Sequence, residues 1–484
     1  MGLKKKIAVI GAGVGGLSVA ARLAGRGCEV EVFERMPIPG GRASIIEEKG
    51  FKFDTGPSFV LMPDFFEEVF RYCRADIRDY LDLRALDIGY KIFYPDAETL
   101  TMYKDPERTK VELERIEPGA AAGYDGFVKK TAEIYEAVRP LLYRCFTPRG
   151  LLDPRQWALV GRIHALRTYW DIACRYFKSE KLRYAFTFEA MFIGVSPFKA
   201  PAFYSIISYT DQVQKIYHPM GGMYRIPLAL EELGRERGVT YHYRSEIEKV
   251  TKPNGRFILH CGKKTTDADN VVINADYVYA QNTLLHRDIS PFYRYSCSVY
   301  LLYLGLKRKL PQFEHHNVFF SGELKKNLRQ IFDERVMPDD PSFYVHVPTR
   351  TDPSLAPEGK EILYLLIPVP NLLREQGLSV DYEATLRKSV FTALNRKMGI
   401  ELEELIEVER HFYPVDFISR YNIKYAATFG LAHTLFQSAF FRPANFDRSM
   451  RGLYYVGAST QPGGGLPVVI AGSRIVADMI TRYS

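Results

Sequence analysis

Residues 7–34 constrain this chain more than any other stretch. Ile7-Ala8-Val9-Ile10 is a short apolar run rich in branched residues, the pattern of a buried strand. Gly11-Ala12-Gly13-Val14-Gly15-Gly16 follows at once, then apolar residues at helical spacing from Leu17 to Gly25, then an alternating run from Glu29 to Phe33. Glu34 closes that second strand, 23 positions after Gly11. Each part has a job in holding a dinucleotide. Gly11 makes the tight turn, Gly13 and its neighbour Gly15 let backbone approach a pyrophosphate, and Gly16 lets helix and strand pack closely. The helix start offers N–H donors and partial positive charge to the phosphates. Glu34 is placed to accept hydrogen bonds from ribose hydroxyls. Glycine loops alone are common, but strand, loop, helix, strand and terminal acid in one unit predict a dinucleotide site.

The 484 residues suffice for two or three domains, and a hydrophobic share of 46% with 25% charged residues is ordinary for a soluble globular protein. No apolar run is long enough to span a bilayer. The basic opening Met1 to Lys6 runs into the first strand, not into a signal-peptide core, and Lys6 stands where an acylation signal wants Ser or Thr. Cys28, Cys73, Cys145, Cys174, Cys261 and Cys297 are scattered singly, as reduced thiols of a cytosolic protein would be. No Cys or His spacing suits a metal, so none is expected; the adjacent His315 and His316 are expected at the surface or in a loop.

After Glu34 come Arg35 and then Gly40-Gly41-Arg42. Two glycines before an arginine suit a second backbone approach to the same cofactor, with Arg42 near phosphate or flavin. At this distance from a dinucleotide unit the pattern is typical of flavin rather than nicotinamide proteins. Phe51-Lys52-Phe53-Asp54-Thr55-Gly56-Pro57 reads as a strand ending in a turn.

Together, Gly11–Gly16, Gly40-Gly41-Arg42 and Phe53-Asp54-x-Gly56-Pro57 resemble the N-terminus of the bacterial-type carotenoid (phytoene and diapophytoene) desaturases. These are FAD enzymes within the wider group that includes amine oxidases. Further segments resemble that family in its order: Ile193 to Pro197 with Tyr204-Ser205-Ile206-Ile207, Tyr217 to Met223, Asn274-Ala275-Asp276, and Gly452 to Pro467. The resemblance implies FAD as cofactor. Gly56, Pro57 and the backbone at Ile247 would join the N-terminal residues in holding it, with Gly457, Gly465, Leu466 and Pro467 closing the site. Many relatives in the wider group carry Gly-Asp where this chain has Gly457-Ala458, so a carboxylate is missing there.

The expected fold is α/β. A Rossmann-type FAD-binding domain is assembled from 1–86, 218–290 and 440–484, with a mixed-sheet substrate domain at 291–439. Ser245 to Val250 and Ser296 to Leu306 read as strands, and Asp381 to Lys397 as a helix. Residues 87–217 form a helical, membrane-facing cap. From Ala158, the spacing of Leu159, Ile163, Leu166, Trp170, Ala173 and Phe177 predicts one amphipathic helix. Between Arg139 and Arg183 ten Lys/Arg face three Asp/Glu, nearly the whole net charge of +8. Such a surface, with Trp157, Tyr169 and Trp170, suits anionic lipid. No recognition motif supports nucleic acid. The expected location is cytoplasmic, peripheral to a membrane.

By resemblance the substrate is a long polyene hydrocarbon drawn from membrane, losing an allylic hydride to flavin and a proton to a modest acceptor, with oxygen or quinone as electron acceptor. Its site should be a long apolar tunnel. No residue stands out as the base. Arg149 and Asp153 lie where acid–base residues are suggested for the family, and Asp54 and His218 sit inside matching motifs. The alternative is an FAD-dependent carotenoid isomerase without net oxidation. Prenyl-protein chaperones of this fold lose the flavin-binding glycines that this chain keeps. A cysteinyl flavin near the C-terminus is excluded because the last cysteine is Cys297.

Overall fold

The computed structural model describes residues 5–147, 150, 152–373 and 380–482. Lys6–Ile10 (β1), Val14–Ala24 (α1) and Glu29–Phe33 (β2) form the unit read from the sequence. β1 is the middle strand of a five-stranded parallel sheet, in the order Leu453–Tyr455, Asn270–Ile273, β1, β2, Thr240–His242. A central parallel strand is covered on both faces, which is why Ile7–Ile10 reads as an unbroken apolar run. α1 is buried along its whole length, packed on the helices Arg225–Glu236 and Leu466–Arg482. Its one charged side chain, Arg22, is paired inside the protein with Glu68 and Ser473.

A second, seven-stranded sheet runs Ile406–Phe412, Ser298–Leu306, Glu361–Val369, Phe343–His346, His316–Phe319, Ile88–Phe93, Thr99–Tyr103. Its pairs are antiparallel except His316–Phe319 with Ile88–Phe93, so the sheet is mixed. The last two strands correct the sequence reading, which placed 88–103 in the helical region. Their Tyr90, Ile92, Leu100 and Met102 are buried, and the strands extend the sheet edge.

Two other expectations fail locally. The helix expected from Ala158 to Phe177 is two helices, Pro154–Arg162 and Tyr169–Ala173. His164 turns the chain at φ 51°, and Thr168 with Asp171 makes a capping box that starts the second helix. The apolar spacing therefore runs through a turn: Leu166 is 79% exposed, whereas Tyr169 is fully buried against Glu189 and cannot lie on lipid. The strand expected over 245–250 forms only at Lys249–Thr251, because the Ser245 N–H is held by the Glu34 carbonyl at 2.8 Å. Among the described residues no helix is long and apolar enough to cross a membrane.

Candidate active site

The glycine loop is shaped by what lies beneath it. Gly11 has φ +97°, and a Cβ on Gly16 would stand 2.0 Å from the Gly11 carbonyl oxygen. Under the loop sits the Asn274 side chain, whose amide nitrogen donates to the Val456 carbonyl (3.1 Å) while its oxygen accepts from Gly16 N–H (3.1 Å) and Gly13 N–H (3.3 Å). Asn274 thus ties three segments of the parallel sheet's C-terminal edge together. Gly13, Val14 and Gly15 line a cavity there, and no side chain caps α1 at Gly13. An uncapped helix start facing a cavity is suited to a phosphate.

Glu34 is buried, its carboxylate accepting from Ala12 N–H at 2.7 Å and Met36 N–H at 2.8 Å. Burial raises its pKa, and those two N–H groups act against the rise. The Gly40 N–H donates to the Ala12 carbonyl at 2.8 Å, which draws the Gly40-Gly41 turn over the glycine loop. Both glycines have positive φ, and a Cβ at Gly40 would stand 2.3 Å from Ala43 O. Arg42 donates to the Thr428 carbonyl, with Asp276 close by; burial lowers its pKa and Asp276 opposes that. Arg35 reaches the Asn422 side chain at 3.2 Å. Gly56, Pro57 and Ile247 complete the wall.

The C-terminal loop closes the same cavity through Gly457, Gly465 and Leu466, ahead of the helix Leu466–Arg482. Two residues that sequence reasoning missed build it. His433 donates from Nδ1 to the Ile193 carbonyl (3.0 Å) and accepts the Gly464 N–H at Nε2 (3.0 Å). That pair of bonds fixes one neutral tautomer, and burial holds its pKa well below the usual histidine range. Arg442, 2% exposed, donates to the carbonyls of Thr460, Gln437, Leu431 and Ala458. Burial lowers its pKa to about 10, so it stays charged at neutral pH. This buried cation grips the backbone at Ala458.

Beside this cavity lies a second one. The two share Gly56, Pro57, Phe192, Phe429, His433 and Leu466. The second runs out past Phe59, Met62, Ile207 and Phe188 to Leu142, Phe146 and Ile163 of the helical region, and Pro467 lines it. Among the described residues no Asp, Glu, Lys or Arg lines it. Tyr204 does, its hydroxyl 2.9 Å from Ser438 Oγ.

The proposed acid–base residues are not brought together there. Asp54 is buried behind the wall, accepting Met223 and Tyr224 N–H groups at 2.8 and 2.9 Å; burial pushes its pKa up to about 6. His218 is buried nearby, its Nε2 3.8 Å from Asp352. Asp153 caps the helix Pro154–Arg162 and pairs with Arg155 at the surface. Arg149 lies outside the described residues. His315 lies in the loop just before the strand His316–Phe319, as expected of a loop histidine, but both histidines are buried and neither is at the surface; neighbouring strands pair with both edges of that strand.

A profile described as flavin containing amine oxidoreductase matches residues 14–481. A zeta-carotene-forming phytoene desaturase of Myxococcus xanthus is 40% identical over 99% of this chain and 94% of its own. A diaponeurosporene-forming 4,4'-diapophytoene desaturase of Staphylococcus aureus is 33% identical over 99% of both chains. The chain belongs to the flavin-containing amine oxidoreductases, among their carotenoid desaturases. FAD is the cofactor, and the enzyme is an oxidoreductase. A solved structure of a putrescine oxidase variant covers 99% of both chains with a TM-score of 0.64 at 13% identity, which is a likeness of fold. The glycine cradle, the uncapped α1 and the buried Glu34 all fit such a cofactor. Gly16 alone of the N-terminal set does not line the cavity; it lets the loop and α1 close beneath it.

Proposed function

We propose that this enzyme desaturates a linear polyene hydrocarbon of the phytoene or C30 diapophytoene type in carotenoid biosynthesis. The observation that carries the reading is the apolar cavity, free of charged side chains among the described residues, that shares a wall with the cofactor cavity. A hydrocarbon without polar handles is held by such a surface through area alone. FAD in its cavity supplies the acceptor for an allylic hydride. The chain's residues hold the polyene along Phe59, Phe188 and Ile207, exclude water, and keep His433 neutral at the junction. An allylic cation is acidic enough to lose its proton to water or a hydroxyl, so no strong base is required; Asp54 orders the turn at 218–224 by accepting the Met223 and Tyr224 N–H groups. Reducing equivalents leave to oxygen or a quinone. The division into cofactor parts at 1–86, 218–290 and 440–484 and a substrate part at 291–439 goes with this reading, with residues 88–103 joined to the latter.

Liposomes carrying C30 or C40 polyenes, incubated with the FAD-loaded enzyme, should yield products with fewer hydrogens and longer-wavelength absorbance. A geometric isomer of unchanged mass would support the isomerase instead. In the same reading the helical region lies on anionic lipid. The helix Pro154–Arg162 exposes Trp157 (62%), and Leu152 and Leu166 are exposed on either side of it in sequence. Basic residues near lipid contribute about 1 kcal/mol each. Reversing Arg155, Arg162 and Arg167 to Glu should therefore lower binding to acidic vesicles by roughly 100-fold or more, and unchanged co-sedimentation would remove the anchor.

A further inference from the structure

Behind the wall formed by Phe59 and Tyr344, away from both cavities, four histidine rings meet in the interior. His218, His315, His316 and His346 are each no more than 5% exposed. Ring centroids of His315 lie 4.9 Å from both His218 and His346. The Nε2 atoms of His315 and His346 face each other at 3.0 Å. One donor atom each from His218, His315 and His346 falls within 4.8 Å of the other two. Among the described residues neither ring nitrogen of the fully buried His218 has a hydrogen-bond partner. Two buried carboxylates flank the group: Asp352, 3.8 Å from His218, and Asp54, whose charge also acts on His218.

We propose that His218, His315 and His346 bind one divalent transition metal of the zinc class. Zinc–imidazole bonds of about 2.0–2.1 Å set tetrahedral ligand nitrogens about 3.3 Å apart, close to the His315–His346 separation. His218 has to swing inward to complete the set, and nothing in its hydrogen bonding holds it back. Imidazole donors suit zinc, copper and nickel rather than magnesium or calcium. The other nitrogen of His315 is bonded to Thr351 Oγ1 at 2.7 Å, the outer-shell bond that orients a ligating histidine. Asp352 and Asp54 supply negative charge beside the cation. His218 lies in the strand Tyr217–Pro219, His315 just before the strand His316–Phe319, and His346 at the end of Phe343–His346. The metal therefore joins the motif at 217–223 to the seven-stranded sheet. Its role is structural, since none of its ligands lines either cavity.

The test uses untagged, FAD-loaded enzyme, treated with chelator, equilibrated with zinc sulfate and gel-filtered. We expect about one zinc per chain and an X-ray absorption spectrum with imidazole nitrogens at about 2.0 Å. His346→Gln should lower zinc affinity by about tenfold or more and abolish the zinc-dependent rise in melting temperature. His164→Gln, in the helical region, should retain both. Wild-type enzyme eluting without zinc would overturn the site, as would zinc bound equally by His346→Gln and His315→Gln. If the variants fail to fold, the wild-type spectrum decides: a metal ligated by fewer than about three imidazoles contradicts the proposal.

Discussion

Gly16→Val yields a colourless protein. Its Cβ would stand 2.0 Å from the Gly11 carbonyl oxygen and 3.1–3.2 Å from the Asn274 side chain. The first obstacle is backbone, and that backbone is the loop that cradles the cofactor. Relief comes only by lifting α1 off β1, which opens the helix start and strips the Asn274 hydrogen bonds. Overpacking of this kind costs about 3 kcal/mol, and loss of the bound cofactor removes its linked stabilisation as well. FAD absorbance per chain after gel filtration reads the first effect and thermal melting the second. Gly161→Ala, in the helix Pro154–Arg162, is the control: no described atom lies within 4 Å of its Cβ and its φ is not positive, so the variant should stay yellow. A yellow Gly16→Val enzyme of normal stability would contradict the assigned packing.

Arg442→Met is expected to damage the opposite wall of the same cavity. The guanidinium satisfies four carbonyls, of Thr460, Gln437, Leu431 and Ala458, from a fully buried position. Methionine fills much of the volume and donates nothing. Buried acceptors left without donors cost about 1–3 kcal/mol each, so destabilisation of about 4 kcal/mol or more follows even after partial relaxation. The loop from Gly457 to Gly465 loses its brace, and FAD retention should fall with it. Arg442→Lys, a point donor in place of a planar fork, should recover only part of both. Denaturant unfolding together with flavin content separates the two effects; unchanged values in Arg442→Met would remove the brace from the account.

How much of this was legible depended on range. The unit from Ile7 to Glu34 shows in sequence because strand, turn, helix and strand each leave a local pattern, and the glycines mark backbone that no side chain tolerates. The apolar cavity was expected from the resemblance, not from periodicity. His433 and Arg442 left no local signal: His433 acts on Ile193, 240 positions away. Asn274 and Asp276 were visible only as part of a family tripeptide, since an asparagine after a strand reads as an ordinary turn. His315 misled because a loop position need not be exposed, and His316 because divergence of side chains on a strand implies an exposed face only where the sheet has one. Here both faces are covered. The helical region misled in the opposite way, its apolar spacing persisting across the turn at His164.

The central claim is that a flavin and a polyene meet across the wall shared by the two cavities. Anaerobic mixing of stoichiometric FAD enzyme with a C30 or C40 polyene in liposomes tests it in a single turnover. The account predicts that the yellow absorbance bleaches in step with a product lacking one pair of hydrogens. Polyene converted to an isomer of equal mass while the flavin stays oxidised, or no conversion at all by fully loaded enzyme, would contradict it.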